Sequence, residues 1–120
     1  MTEPTSQGLI EPLLALQSLL EGIGHPRADE VAEAIALADS DPAAFWRIVD
    51  GNGWWAGAGS LAAETMGDNP GLPEADWQLT VRDLREVMAE IGEILLTRDT
   101  VNPGISSWVL AFRSWNASGV

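Results

Sequence analysis

The feature that most constrains this chain is a run of non-polar residues at helical spacing between positions 81 and 97. Residues three and four positions apart share one face of an α-helix, so the run predicts an amphipathic helix, roughly Val81 to Thr97, that must bury one face. Thr80 stands at the predicted N-cap, and Asp83 follows at the capping-box position. The face to be buried consists of Val81, Leu84, Val87, Met88, Ile91, Ile94 and Leu95.

Other segments carry similar helical signals. A leucine-rich stripe from Leu9 predicts a first helix that Gly22 and Gly24 end. Asp41 and Pro42 have the residue types preferred at an N-cap and a first helical position, so a helix should restart there. Trp108, Phe112 and Trp115 share a helical face near the end of the chain, where a helix is favoured over a strand. These further helices are predicted at about 9–22, 27–38, 43–50, 61–66 and 106–116.

The segments together predict an all-α fold, a single-domain bundle of about five helices with a glycine/tryptophan-rich loop. The chain has 120 residues, which is the size of one domain. We expect a flexible arm over 1–8, a helical domain over 9–116 and a tail over 117–120. Loops are expected at 51–60 and 67–73, where glycine, asparagine and proline cluster.

Composition excludes several kinds of chemistry. The chain has no cysteine, its six basic residues are all arginine, and His25 is its one histidine. Disulfides, thiolate metal sites and lysine Schiff bases are therefore excluded, and we expect no metal and no cofactor. A net charge of -12 makes nucleic-acid binding unfavourable, because phosphate contacts need clustered cations. No cationic leader and no apolar stretch of about 20 residues is present, so a cytoplasmic protein that does not enter membranes is expected.

Four carboxylates are spaced so that they lie along one side of the predicted helix over 81–97. They are Asp83, Glu86, Glu90 and Glu93. One interpretation is a solvated outer face, with Arg82 pairing with Glu86 four positions on. A second is a binding strip for a cationic partner, because complementary potentials speed association. A metal site is a weaker interpretation, since di-metal bundles use Glu-x-x-His motifs that the sequence lacks.

Tryptophan is the second candidate for partner contact. The chain has six tryptophans and no tyrosine. Neighbouring side chains in an extended loop point in different directions, so of Trp54 and Trp55 we expect one buried and one partly exposed. An exposed indole beside carboxylates would be a contact point for a partner, because tryptophan is enriched at binding hot spots. Phe45 and Trp46 fall on different helical faces, which predicts that one of them lies at the edge of the core.

A glycine-rich loop that leads into a helix also admits a ligand-binding interpretation. The amides of 57–60 could attract an anion at a helix N-terminus. The loop lacks the lysine of a P-loop and follows no predicted strand, and no Gly-x-Ser-x-Gly elbow surrounds Ser60. A small hydrolase or nucleotide-binding protein that uses Gly57–Ser60 and His25 remains an alternative.

The segment Trp55-Ala56-Gly57-Ala58-Gly59-Ser60-Leu61 resembles a Trp-Gly-rich Gly-x-Gly-Ser turn found in small uncharacterised bacterial all-helical proteins. In those proteins an amphipathic helix and a tryptophan-containing C-terminal segment follow, as Val81–Thr97 and Trp108–Trp115 do here. Some of them are thought to be immunity proteins against toxins. The resemblance implies no catalytic residues.

Charge, missing catalytic groups and resemblance together predict a non-enzymatic acidic binding protein. In its most specific form it is an immunity-type inhibitor that neutralises a basic protein toxin by stoichiometric binding. The partner-binding residues would be Asp83, Glu86, Glu90, Glu93 and whichever of Trp54 and Trp55 is exposed. A self-associating structural protein that uses its apolar faces, and hence a homo-oligomer, is a further alternative.

Overall fold

The structure is a computed structural model that describes residues 6–56, 60–64, 74–98 and 101–118. Within these ranges it contains a 3-10 helix, seven α-helices and no strand. The 3-10 helix is Ser6–Leu9, and the α-helices are α1 (Ile10–Gly22), α2 (Ala28–Ser40), α3 (Pro42–Val49), α4 (Asn52–Trp55), α5 (Leu61–Glu64), α6 (Glu74–Leu95) and α7 (Ile105–Ser118). The all-α single-domain bundle is confirmed, and α1, α2, α3, α6 and α7 are its five longer helices. No helix in the described ranges is both long enough and apolar enough to cross a bilayer.

The helix α6 occupies the centre of the packing. It lies against α7 on one side and α1 on the other, while α2 packs between α1 and α3. The predicted apolar stripes of α1 and α6 form one core with Phe45 of α3 and Phe112 of α7. Its largest buried members on α1 and α6 are Leu13, Leu16, Leu20, Leu84, Met88 and Ile91.

Several helix ends carry residues whose chemistry suits a cap or a turn. Oδ1 of Asp41 accepts a hydrogen bond from the N–H of Ala44 at 3.2 Å, and Pro42 is the first residue of α3. Oγ of Ser60 accepts the N–H of Ala63 at 3.1 Å, which makes Ser60 the N-cap of α5. After α1 the chain turns at Gly24, whose φ of 67° lies in the left-handed region that favours glycine.

The predicted start of α6 was wrong. The helix begins at Glu74, six residues before Thr80, so Thr80 is an interior residue and not an N-cap. The residues between Glu74 and Leu79 include neither glycine nor proline, and glutamate, alanine, glutamine and leucine among them are good helix formers. Thr80 has a residue type that is common at N-caps, but the residues before it favour helix, so the helix does not begin at Thr80.

Two predicted irregular segments are also partly helical. Residues 52–55 of the predicted loop form α4, which the N–H of Ala56 closes by donating to the oxygen of Asn52 at 2.9 Å. Part of the predicted arm forms the 3-10 helix, because Leu9 is fully buried and holds the segment on the bundle. At the other end, α7 continues to Ser118. Residues 57–59 and 67–73 of the predicted loops, like residues 1–5, lie outside the described residues.

A polar cluster joins the connection after α6 to the end of α3. The Asp50 carboxylate accepts the backbone N–H of Asn102 at 2.9 Å and lies 3.5 Å from Nη1 of Arg98. The Arg98 guanidinium also stacks over Trp46, with 4.0 Å between its central carbon and the ring centroid. Trp46 is half-buried beside the fully buried Phe45, as the sequence predicted for this pair. These contacts help to fix where α7 begins relative to α3.

Candidate partner-binding surface

The four carboxylates predicted to share one side of a helix do so on α6. Asp83, Glu86, Glu90 and Glu93 are all exposed, and the opposite side of the helix faces the core. We call these four residues the acidic row. Their spacing of three or four residues keeps them within less than half of the helix circumference. Asp83 and Glu90 form no ion pair in the described structure.

Arg113 of α7 bridges two members of the acidic row. Its Nε lies 3.0 Å from Oε1 of Glu93, and its Nη1 and Nη2 donate to Glu86 and Glu93 respectively. The side chains of Arg113, Glu86 and Glu93 are 41%, 57% and 51% exposed, so water screens the attraction between them. The predicted pairing of Glu86 with Arg82 was wrong, because α7 brings Arg113 within reach of the same carboxylate.

The pKa values of this group follow from these hydrogen bonds. The hydrogen bond from Arg113 lowers the pKa of Glu86, a hydrogen bond from Asn116 adds to the effect, and partial burial opposes it. The hydrogen bonds to Glu93 and Glu86 raise the pKa of Arg113. Both shifts favour the charged forms, so the ion pairs persist at neutral pH.

One cleft lies on the α7 side of the acidic row. It has a volume of about 750 Å³ and is lined by Arg82, Asp83, Glu86, Arg113, Asn116 and Ala117. Nδ2 of Asn116 donates to the main-chain oxygen of Arg82 at 3.0 Å and to Oε2 of Glu86 at 3.4 Å. Two arginines and two carboxylates therefore meet here, so the cleft has no strong preference for the sign of a ligand's charge.

A second groove lies on the other side of the row, between α1 and α6. Its volume is about 380 Å³, and its lining residues are Ala15, Ser18, Leu19, Asp83, Glu86 and Val87. Three of the six lining residues are non-polar, but together with the side-chain carbons of the others they contribute most of the lining surface, and no basic residue lines the cavity. Asp83 and Glu86 line both cavities, so they stand on the ridge between them. We call this second cavity the α1–α6 groove.

Neither tryptophan of the predicted contact pair is available at the surface. Trp54 is 1% exposed and Trp55 is fully buried, so the prediction that one of them would be exposed was wrong. The helical turn of α4 lets both indoles reach hydrogen-bond acceptors: Trp54 donates to the partly exposed carboxylate of Glu30, and Trp55 donates to the main-chain oxygen of Val49 at 2.7 Å. Both residues therefore act as core residues in the structure.

The hydrolase alternative gains no further support from its described residues. Ser60 is 1% exposed and its Oγ caps α5, while Nδ1 of His25 accepts the N–H of Arg27 at 3.1 Å. Gly57, Ala58 and Gly59 lie outside the described residues. Among the residues that are described, no group of three or more histidine, aspartate or glutamate side chains could hold a metal ion.

Sequence reasoning identified Asp83 and Glu86 as surface residues of the site but missed Arg113, Asn116 and the other residues of the α1–α6 groove, which are Ala15, Ser18, Leu19 and Val87. Arg113 lies among non-polar neighbours that favour a buried helix, and nothing local indicates that it reaches α6. A partial signal for the groove exists in Ala15 and Ser18, since two small residues on one side of a leucine-rich helix leave space beside a neighbour.

The comparisons with known proteins supply no relative. No protein-family model, no curated protein and no solved structure matches the chain.

Proposed function

We propose that this chain is a non-enzymatic binding protein whose acidic row binds a basic protein partner in a stoichiometric complex. The observation that carries the proposal is the pair of exposed carboxylates, Asp83 and Glu90, that have no ion-pair partner in the described structure. They stand in a row with Glu86 and Glu93 on a rigid helix whose other side is anchored in the core. A row of this kind presents negative charge at fixed spacing, which suits a partner with cations on one side.

Long-range electrostatic attraction would bring the two proteins together, and direct ion pairs would form once they touch. The net charge of -12 attracts a basic partner from a distance and raises the association rate. On contact, arginine or lysine side chains of the partner pair with Asp83 and Glu90. A partner arginine can also compete with Arg113 for Glu86 and Glu93, since these pairs are solvent-exposed and individually weak.

The biological role that follows from such binding is that of an immunity-type inhibitor of a basic protein toxin. An acidic protein that covers the basic surface of a toxin inhibits it without turnover, which is how an immunity-type inhibitor works. The charge and the exposed row support this role. It requires no catalytic group from the chain.

The proposal is tested with a basic probe of defined charge. The double variant Asp83→Arg/Glu90→Arg should bind an eight-residue oligoarginine peptide at least about tenfold more weakly at low salt, mainly through a slower association rate. The matched control is Glu21→Arg/Glu33→Arg, which changes net charge equally at exposed positions of α1 and α2. Stopped-flow fluorescence over a series of salt concentrations separates the two. Equal losses in both double variants would show that net charge alone attracts the peptide and would refute the role of the acidic row.

A further inference from the structure

The α1–α6 groove combines an apolar lining with carboxylates on one edge. Leu19 from α1 and Val87 from α6 are partly buried residues packed against the core, and both line the groove. Ala15 and Ser18 are exposed on the α1 side, and their small side chains leave the groove open. The non-polar surface therefore lies in a shallow depression between two helices and is accessible from solvent.

The charges at this groove have one sign. Asp83 and Glu86 line it, and no arginine does, whereas two arginines line the cleft on the α7 side. Glu86 forms an ion pair with Arg113, whereas Asp83 has no ion-pair partner in the described structure. The Asp83 carboxylate can therefore pair with a cation that a partner places beside the groove.

A large non-polar side chain extends the apolar surface along α1. Leu14 is 50% exposed and lies one turn before Ser18 on the same helix. A single exposed leucine is ordinary on a protein surface. Next to an open apolar groove, however, Leu14 enlarges the non-polar surface that a partner can cover.

We propose that the α1–α6 groove binds an amphipathic basic helix of a partner protein. A non-polar side chain of that helix inserts between Leu19 and Val87, and an arginine or lysine one turn away pairs with Asp83. Helix-in-groove recognition uses anchors at this spacing, with the apolar face buried and the charged face at the rim. Charge complementarity selects this occupant, because an apolar anchor without a cation would leave Asp83 without a partner. The inference rests on the proposed function and specifies the chemistry of the partner.

Two synthetic peptides of identical composition test the proposal. One carries leucines at i, i+3, i+4 and i+7 with arginines on the other face, and the second is a scramble without an amphipathic face. The wild-type chain should bind the amphipathic peptide about tenfold more tightly than the scramble, because it also buries a leucine side chain. That advantage should remain at high salt, where screening weakens the electrostatic contribution of both peptides.

A variant that fills the groove provides a second test, and it has a matched control. Ala15→Phe places a ring in the groove and should reduce the affinity for the amphipathic peptide to that for the scramble. The control Ala36→Phe adds the same ring at an exposed position of α2 and should change neither affinity. Chemical-shift mapping on the wild-type chain, which needs no variant, should place the peptide at Ser18, Leu19 and Val87.

The outcomes separate this inference from the proposed function. Equal binding of the two peptides, or a mapped site elsewhere, would overturn the groove while leaving the acidic row intact if Asp83→Arg/Glu90→Arg still weakens both. If neither peptide bound, both proposals would be overturned. A dimer of the chain alone that Ala15→Phe converts to a monomer, measured by sedimentation, would assign the groove to a second copy and would also overturn the inference.

Discussion

The indole N–H of Trp108 donates a hydrogen bond to the main-chain oxygen of Trp55, with 2.9 Å between nitrogen and oxygen. The indole of Trp55 in turn donates to the oxygen of Val49 at 2.7 Å. This chain of two hydrogen bonds joins the end of α3, the short helix α4 and the start of α7. Gly104 belongs to the same junction, because a Cβ there would collide with the main-chain oxygen of Trp55.

The junction predicts a graded response to loss of the two indoles. Trp55→Phe should lower the free energy of unfolding by about 2–3 kcal/mol, since it removes buried volume and leaves the oxygen of Val49 without its donor. Trp108→Phe should cost about 1 kcal/mol, because Trp108 is only partly buried. Urea denaturation with an unchanged m-value measures both. A larger loss of unfolding free energy for Trp108→Phe than for Trp55→Phe would contradict the prediction that Trp55 contributes more to this junction.

A second prediction concerns Gly92, where α6 and α7 approach closely. A Cβ at this position would lie 2.5 Å from Cγ2 of Val109, 3.2 Å from Cγ2 of Ile105 and 3.3 Å from the ring of Trp55. Gly92→Ala should therefore destabilise the protein by about 1–3 kcal/mol through overpacking, although alanine favours the helix.

Gly22 supplies the control for Gly92. It is the last residue of α1, is exposed, and has no atom within 4 Å of a Cβ added there. Gly22→Ala should stabilise the protein by about 0.5 kcal/mol by restricting the unfolded chain. Opposite signs for the two substitutions, measured by thermal unfolding, are expected. Stabilisation by both would mean that α7 does not pack on Gly92 as closely as the structure places it.

Local spacing explains which parts of the fold and of the candidate surface could be predicted. The acidic row needed only the helical period of α6, and the cap of α3 needed only the Asp41-Pro42 pair. The partner of Glu86 could not be predicted in this way, because Arg113 lies 27 residues away along the chain. Its contact depends on the register between α6 and α7.

The burial of Trp54 and Trp55 likewise depends on residues outside the predicted loop. Adjacent indoles in an extended loop point apart, but the helical turn of α4 places each against a different acceptor. Glu30 and Val49 supply those acceptors, and Gly92 leaves room for the ring of Trp55. No local pattern around the two tryptophans identifies these partners. The same limit applies to the α1–α6 groove, whose walls come from helices that are far apart in sequence.

Acidic pH should weaken the link between α6 and α7. The pKa of Glu86 is lowered from its ordinary value of 4.5 in the folded protein, so the folded state binds fewer protons than the unfolded state in that range. The stability that Glu86 contributes is therefore present above pH 4.5 and is lost as the pH falls through the folded-state pKa. Arg113→Gln should cost about 1 kcal/mol or less near neutral pH, as expected of exposed ion pairs.

Comparison of the two proteins across pH isolates this contribution. The difference in unfolding free energy between wild type and Arg113→Gln should shrink as the pH is lowered below 4.5 and Glu86 becomes protonated. Taking the difference removes the effects of the carboxylates that do not contact Arg113, so what remains belongs to its pairs with Glu86 and Glu93. A difference that stays constant over this range would mean that the substitution acts through packing and not through charge.

The final prediction concerns Arg113 as an internal competitor of a basic partner. Arg113→Gln releases Glu86 and Glu93, so the variant should bind an eight-residue oligoarginine peptide about fivefold more tightly at low salt. Arg82→Gln makes the same change in net charge in the same cleft, but Arg82 is exposed and forms no ion pair in the described structure. Its effect should be about twofold or less, since only the long-range attraction changes. Isothermal titration calorimetry on the two variants measures the difference directly. Equal gains would show that Arg113 does not compete for the acidic row, because removal of any nearby positive charge would then have the same effect.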